Sequence, residues 1–222
     1  MLRGCFVTAT DTGVGKTILA AALVASLRAR GEEVSVRKPV VTGVHEHDPG
    51  APIDHELLAS LSGEHPEAVS PARYGPAVSP HLAAELAGHT IDVAALIADV
   101  RAAGPVIVEG IGGLLVPLAD GWDVRRLAGE LGLGVLIAAR PGLGTINHTL
   151  LTLEAARAAG LDVRAVVLTP WPPAPGAIER SNLATIERIG EVEVATLATL
   201  PELSAAALAL AGASLPYESW LA

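Results

Sequence analysis

The sequence predicts a doubly wound, mostly parallel α/β sheet with helices on both faces. Two observations carry that prediction. Short β-rich runs alternate with longer Ala/Leu-rich runs, the pattern of strand–helix crossovers. The β-rich runs are apolar throughout, without polar alternation, as strands covered on both faces must be.

In chain order, residues 5–8 form a compact first strand, and 17–30 a helix closed by Gly31 as C-cap. Residues 34–38 are a second strand, ended by Pro39. Further apolar strands are expected at 106–108, 135–139 and 163–168, with a last one at 194–197. Helices are expected at 93–103, 123–131, 145–159 and 177–189. The stretch 43–80 breaks the alternation. It is rich in His, Pro, Gly and Ser, with one short helix starting at Asp54. It reads as an elaborated connection over the carboxyl end of the sheet, where α/β proteins bind ligands. Residues 170–176 hold four prolines and a tryptophan and read as a stiff, exposed loop. With no internal repeat, flexible linker or composition break, one domain over residues 1–222 is expected.

Composition narrows the function. Half of the residues are hydrophobic, 18% are charged and only 3% aromatic, so the core is built from Ala, Val, Leu and Ile, and disorder is excluded. The net charge of -9 repels nucleic acid and anionic membrane surfaces. The single cysteine, Cys5, allows no intrachain disulfide and lies within the first strand, where it reads as core. No secretory leader and no apolar run long enough for a bilayer is evident, so a soluble cytoplasmic protein is expected. The seven histidines lack metal-ligand spacing, and Trp122, Trp171 and Trp220 are isolated.

The sharpest motif runs from Thr8 to Thr17, Thr-Ala-Thr-Asp-Thr-Gly-Val-Gly-Lys-Thr, between the first strand and the first helix. That placement is what a phosphate-binding loop needs. Backbone N–H groups of Thr12, Gly13, Val14, Gly15, Lys16, Thr17 and Ile18 and the helix N-terminus can face a polyphosphate, and glycine permits close approach. Lys16 brings charge to the β- and γ-phosphates, and the Thr17 hydroxyl can ligate Mg²⁺. The usual leading glycine is replaced by Thr10. The fold class is thereby a P-loop NTPase type.

Three further positions matter. Lys38 ends the second strand and reads either as a solvated strand-end lysine or as a second cation for phosphoryl transfer. Glu109 follows the apolar strand 104–108 and precedes Gly110-Ile111-Gly112-Gly113, and a carboxylate there commonly holds Mg²⁺. Asp54 reads as an ordinary N-cap, with a Mg²⁺ ligand as its alternative.

Together these residues resemble the dethiobiotin synthetase family over nearly the whole chain. The resemblance rests on Phe6-Val7-Thr8, Thr10-Asp11-Thr12, Gly15-Lys16-Thr17, Lys38-Pro39-Val40, Thr42-Gly43, Asp54 and Ser79-Pro80-His81. It continues through Val108-Glu109-Gly110, Gly112-Gly113-Leu114, Leu143-Gly144-Thr145-Ile146-Asn147-His148 and Pro201-Glu202-Leu203. It implies ATP-dependent carboxylation of 7,8-diaminopelargonate with CO₂ or bicarbonate. A carbamate attacks the γ-phosphate, and the second amine closes a cyclic urea. It further implies that Thr17, Asp54 and Glu109 hold Mg²⁺, with Gly110, Ile111 and Gly112 beside the nucleotide, and that Lys38 is the catalytic lysine. Thr42 and the segment Leu143 to Asn147 contact the diamino acid, the latter across a homodimer. Thr169, Pro170, Pro201, Glu202 and Leu203 fall at the nucleotide's base.

The chain departs from that family at three places. Ala9 replaces a frequent glycine, Ile111 a frequent alanine, and Thr169-Pro170 an asparagine that reads adenine. The last change predicts weak discrimination among ATP and other nucleoside triphosphates. A partner-switching partitioning ATPase is the alternative reading, but the extra early lysine of such loops is missing from Asp11-Thr12-Gly13. An amidating ligase acting on a corrin-type substrate would bring a glutaminase domain with a catalytic cysteine, for which this chain is too short.

Overall fold

The computed structural model describes residues 3–46 and 53–221. Strand β1 (Gly4–Ala9) leads through the glycine loop into helix α1 (Lys16–Ala29), β2 (Ser35–Arg37) and β3 (Val40–Thr42). Then come α2 (Asp54–Ser62), α3 (Pro66–Val69), β4 (Ala72–Tyr74), α4 (Pro80–Leu86) and α5 (Val93–Ala102). The chain continues through β5 (Val106–Glu109), β6 (Pro117–Ala119), β7 (Trp122–Asp123), α6 (Val124–Leu131) and β8 (Gly134–Ala139). It closes with α7 (Thr145–Ala158), β9 (Val163–Trp171), α8 (Ala177–Gly190), β10 (Glu193–Ala198) and α9 (Ala205–Ala213).

The main sheet has six strands in the order β10-β9-β8-β1-β5-β2, every pair parallel. Two small sheets stand apart, parallel β3–β4 and antiparallel β6–β7. The predicted doubly wound architecture is therefore what forms. Successive strand residues feed opposite faces. Cys5, Val7, Ile107, Leu136 and Val167 pack under α1, α2 and α9. Phe6, Val108, Ile137 and Val166 pack on the other face with Leu96, Leu127, Leu153 and Ile186 of the α5–α8 layer. The Ala-rich composition has a purpose in this packing. A Cβ on Gly212 would stand 2.1 Å from the Ala22 carbonyl, so α9 crosses α1 at backbone distance.

Several local expectations change. The 43–80 connection holds the helices α2 and α3 and the strand β4 rather than one short helix, with residues 47–52 outside the described set. Asp54 is not the N-cap of α2: that position is Ile53, and no side chain caps the end. The Asp54 carboxylate is thereby free to point elsewhere. The 170–176 loop starts later than expected, because Trp171 still pairs with Ala198 of β10 and extends β9 past Pro170. Helices α4 and α9 fall outside the helices expected from the sequence. The first opens on Pro80, and the second is capped by the Ser204 hydroxyl, which accepts from the Ala207 N–H at 3.2 Å.

Candidate active site

The carboxyl ends of β1, β2 and β5 converge, because β5 lies between the other two. The side chains just beyond those ends therefore meet. Thr17 Oγ1 donates to Glu109 Oε1 at 2.8 Å. Lys38 Nζ donates to Glu109 Oε1 at 2.6 Å and to Asp54 Oδ2 at 2.5 Å. Lys16 Nζ turns back to the Asp11 carbonyl at 3.0 Å. The four polar residues singled out in the sequence thus form one cluster with Lys16.

A cavity of about 420 Å³ opens above this cluster. Thr12, Gly13, Gly15, Lys16, Thr17 and Ile18 form one wall, and Lys38, Thr42 and Asp54 another. Glu109, Ile111, Gly112 and Leu203 complete it, with Val41 and Leu57, which the sequence did not mark. The bulkier residue at 111 thus faces the cavity directly. Other expected residues lie outside the lining. Val14 is packed in the core, so only its backbone is available to a phosphate. Gly110 carries the chain behind the cavity, its N–H donating to the Val7 carbonyl at 2.9 Å. Pro170, Pro201 and Glu202 also stand apart from the lining, and the Glu202 carboxylate accepts from the Ser204 hydroxyl at 2.7 Å. Leu143 to Asn147 open α7 at a different place on the surface, with the Thr145 side chain turned inward toward Thr149 Oγ1 at 3.3 Å.

Thr169 is buried, and its side chain supports the phosphate loop. A Cβ on Gly15 would stand 2.8 Å from Thr169 Cγ2, and Gly15 itself adopts φ +100°, a left-handed conformation that favours glycine. Two further residues, unmarked in the sequence, hold neighbouring backbone. Exposed Arg140, just past β8, donates to the Asp11 carboxylate at 3.3 Å and the Thr12 carbonyl at 3.1 Å. Asn182 on α8 donates to the carbonyls of Pro141 and Gly142 at 2.8 and 3.0 Å, fixing the approach to α7. Neither shows a sequence signal, since their partners lie far away along the chain.

Burial sets the electrostatics. Lys38 and Glu109 are 3% and 1% exposed. Burial disfavours the Lys38 ammonium, but Glu109 and Asp54 more than offset it and raise its pKa. Burial also raises the Asp54 carboxyl, and the Lys38 charge outweighs it, holding Asp54 below the usual carboxylate range. Burial pushes Glu109 up against the pull of Lys38 and the Thr17 hydroxyl, so its charge depends on a cation alongside. Burial lowers Lys16 to about 8, Glu109 being the leading group that opposes it. Glu109 Oε2 is buried without a hydrogen-bond partner. An orphaned carboxylate oxygen beside a hydroxyl and a second carboxylate is a fitting donor set for a hard divalent cation.

Comparison with known proteins shows the family. A family profile described as an AAA domain matches residues 3–207. The chain is 42% identical to the ATP-dependent dethiobiotin synthetase BioD of Anaeromyxobacter sp. (strain Fw109-5), over 91% of this chain and 93% of the relative. It is 44% identical to the protein of that name from Anaeromyxobacter dehalogenans (strain 2CP-1 / ATCC BAA-258), over 90% of each. The chain belongs to the dethiobiotin synthetase family. Among solved structures, the cell division ATPase MinD of Pyrococcus furiosus superposes with a TM-score of 0.56 at 16% identity, covering 96% of this chain and 98% of that one. That likeness establishes the shared fold alone. No helix among the described residues is long and apolar enough to cross a membrane.

Proposed function

We propose that this chain is a cytoplasmic ATP-dependent dethiobiotin synthetase, joining 7,8-diaminopelargonate and CO₂ into the cyclic urea dethiobiotin. The observation that carries the reading is the Lys38 ammonium held between Asp54 and Glu109 on the cavity that Lys16 and Thr17 also line. Phosphoryl transfer needs positioning and charge neutralisation more than covalent chemistry from the protein. A second buried cation opposite the phosphate loop supplies that.

The backbone of Gly13 to Ile18 and the N-terminus of α1 would cradle the triphosphate, with Lys16 on the β- and γ-phosphates. Thr17, Asp54 and Glu109 would hold Mg²⁺, which when bound neutralises charge on the phosphate oxygens. Lys38, kept protonated by its two carboxylates, would stabilise the charge that develops between a carbamate oxygen and the γ-phosphate. Thr42 would meet the diamino acid from the end of β3. The second amine of that substrate then displaces phosphate, and no protein nucleophile is required.

The remote carboxylate of the substrate would rest on the N-terminus of α7, at Leu143 to Asn147 of a neighbouring subunit. Leu143 is 95% exposed, and Leu115 and Leu151 are each 56% exposed, which supports an apolar contact with a second copy. The experiment is phosphate release coupled to dethiobiotin formation, with diaminopelargonate, bicarbonate, Mg²⁺ and ATP omitted in turn. Each omission should abolish turnover. Phosphate release independent of the diamino acid would point to the partner-switching ATPase instead. Light scattering at assay concentration should give a dimer, and a fully active monomer would remove the shared site.

A further inference from the structure

The strand that carries Lys38 is an edge of the main sheet, and side chains close its outer side. Among the described residues, strand β2 pairs only with β5. On the outer side, the Val36 N–H donates to Glu64 Oε2 at 2.8 Å, and the Val36 carbonyl accepts from Arg37 Nη1 at 2.8 Å. Glu64 Oε1 accepts from that same nitrogen at 2.6 Å, and Arg37 Nε donates to Asp99 Oδ2 of α5 at 2.9 Å. One residue on, the Lys38 N–H donates to the Val69 carbonyl at 2.8 Å. An edge strand normally offers such groups to solvent or to another strand. Here a carboxylate and a guanidinium take the part of a neighbouring strand and fasten β2 to two helical layers.

This fastening bears on Lys38. A three-residue strand paired on one side is a weak platform for a side chain that must be placed to a fraction of an ångström. The side-chain partners of Lys38 are also the carboxylates assigned to Mg²⁺. Its anchoring through the backbone does not draw on them. Arg37 and Glu64 are mostly buried, at 10% and 22% side-chain exposure, so their pair is little screened by solvent.

We propose that Arg37 and Glu64, backed by Asp99, are positioning residues that hold Lys38 in register for phosphoryl transfer. The proposal rests on the reading of Lys38 as the transfer-site cation. Glu64→Ala leaves the Val36 N–H without its acceptor and Arg37 without its counter-charge. Arg37→Met removes the guanidinium from the other side. Glu64→Gln keeps an acceptor for Val36 and loses only the charge.

The test is a double-mutant cycle with Lys38→Ala, reading kcat at saturating substrates, the Kd of Mg²⁺-ATP and Tm. Alone, Glu64→Ala and Arg37→Met should each lower kcat by about tenfold or more, since small misplacements of a reacting group are costly. The Kd of Mg²⁺-ATP should stay unchanged, because β1 and α1 carry the phosphate loop. Glu64→Gln should restore part of the loss. In the Lys38→Ala background, Glu64→Ala should cause no further fall in kcat. A purely structural role would give equal losses in both backgrounds, and that result overturns the proposal. So does wild-type kcat in both Glu64→Ala and Arg37→Met. Should Glu64→Ala fail to fold, the same cycle run with Glu64→Gln and Asp99→Asn decides. If Lys38→Ala alone retains turnover, the reading of Lys38 falls and the proposal with it. An impaired Lys38→Ala with additive losses overturns the clamp and leaves that reading standing.

Discussion

The two flanks of the phosphate loop are built on opposite plans. On the β2–β5 flank, charge is buried and paired, with Lys38 between Asp54 and Glu109 and a hydroxyl of Thr17 alongside. On the β9–β10 flank, the strand end offers Thr169 and Pro170, and the threonine is spent on packing against Gly15. On the proposed reading, the first flank has fixed charges where phosphoryl transfer would develop charge, and such groups act strongly where water is excluded. The second has a side chain that packs against the loop at Gly15, and on the proposed reading it would leave a nucleotide base unread. On that reading, phosphoryl transfer and nucleotide identity would be served by separate parts of this fold.

The charged flank should give the largest effects. Lys38→Ala should cut turnover on the order of 10²-fold or more, the range for a preorganised electrostatic group. Circular dichroism and Tm should remain near wild type. Near-normal turnover would break the comparison at its stronger side. Thr17→Val should give a comparable loss, with the Mg²⁺ dependence of turnover moved to higher concentration. A threonine whose only role was capping α1 would leave that dependence where it was.

How far the sequence discloses each flank follows from the same contrast. The phosphate loop is legible because its requirements are local: strand, glycines, Lys16, Thr17 and helix in one unbroken run. The parallel sheet is legible because its strands are uniformly apolar. Glu109 follows from a carboxylate left at a buried strand end. Lys38 and Asp54 are ambiguous from position, and the family resemblance is what selects their chemistry. What brings them together is the docking of α2 against α1 and β2, a long-range arrangement that local composition does not specify. Thr169 misleads for another reason. Its register places it where the family reads a base, while its buried contact with Gly15 depends on how β9 lies against the loop. Arg37 offered a faint signal, a charged residue inside an apolar strand, but its partners Glu64 and Asp99 lie 27 and 62 residues away.

The plain flank can be tested through its packing. Thr169→Ala removes the methyl group beneath Gly15 and should weaken Mg²⁺-nucleotide binding by up to about tenfold, the scale of a buried methyl deletion. The loss should be the same for every nucleotide, because it acts through the loop on the phosphates. Thr169→Val keeps a methyl against Gly15 and should lose less than Thr169→Ala. A loss confined to ATP would show that Thr169 touches the base after all.

The smallest expected effect is the difference among nucleotides themselves. An asparagine at the end of β9 would present a donor and an acceptor together and could form a two-point contact with adenine. Thr169 has one hydroxyl, on a side chain that is 2% exposed and turned under the loop. Pro170 has no N–H to substitute for the missing donor. Beyond them, Trp171 continues the strand, its carbonyl accepting from the Thr199 N–H at 2.9 Å, so that group is committed to the fold. Glu202 is held by Ser204, and Leu203 is the one residue of 201–203 that lines the cavity, with an apolar side chain. Stacking or packing on such a surface accepts any base. A bidentate base contact is worth about 1–3 kcal/mol of discrimination, and the side chains of Thr169 and Pro170 can form none. Affinity should therefore follow the triphosphate and its cation. Measured at saturating diamino acid and Mg²⁺, kcat/KM for ATP, GTP, CTP and UTP should fall within about tenfold of one another, less than 1.4 kcal/mol. A preference for ATP of a hundredfold or more would require a base-reading group on the β9–β10 flank, and the contrast between the flanks would fail there.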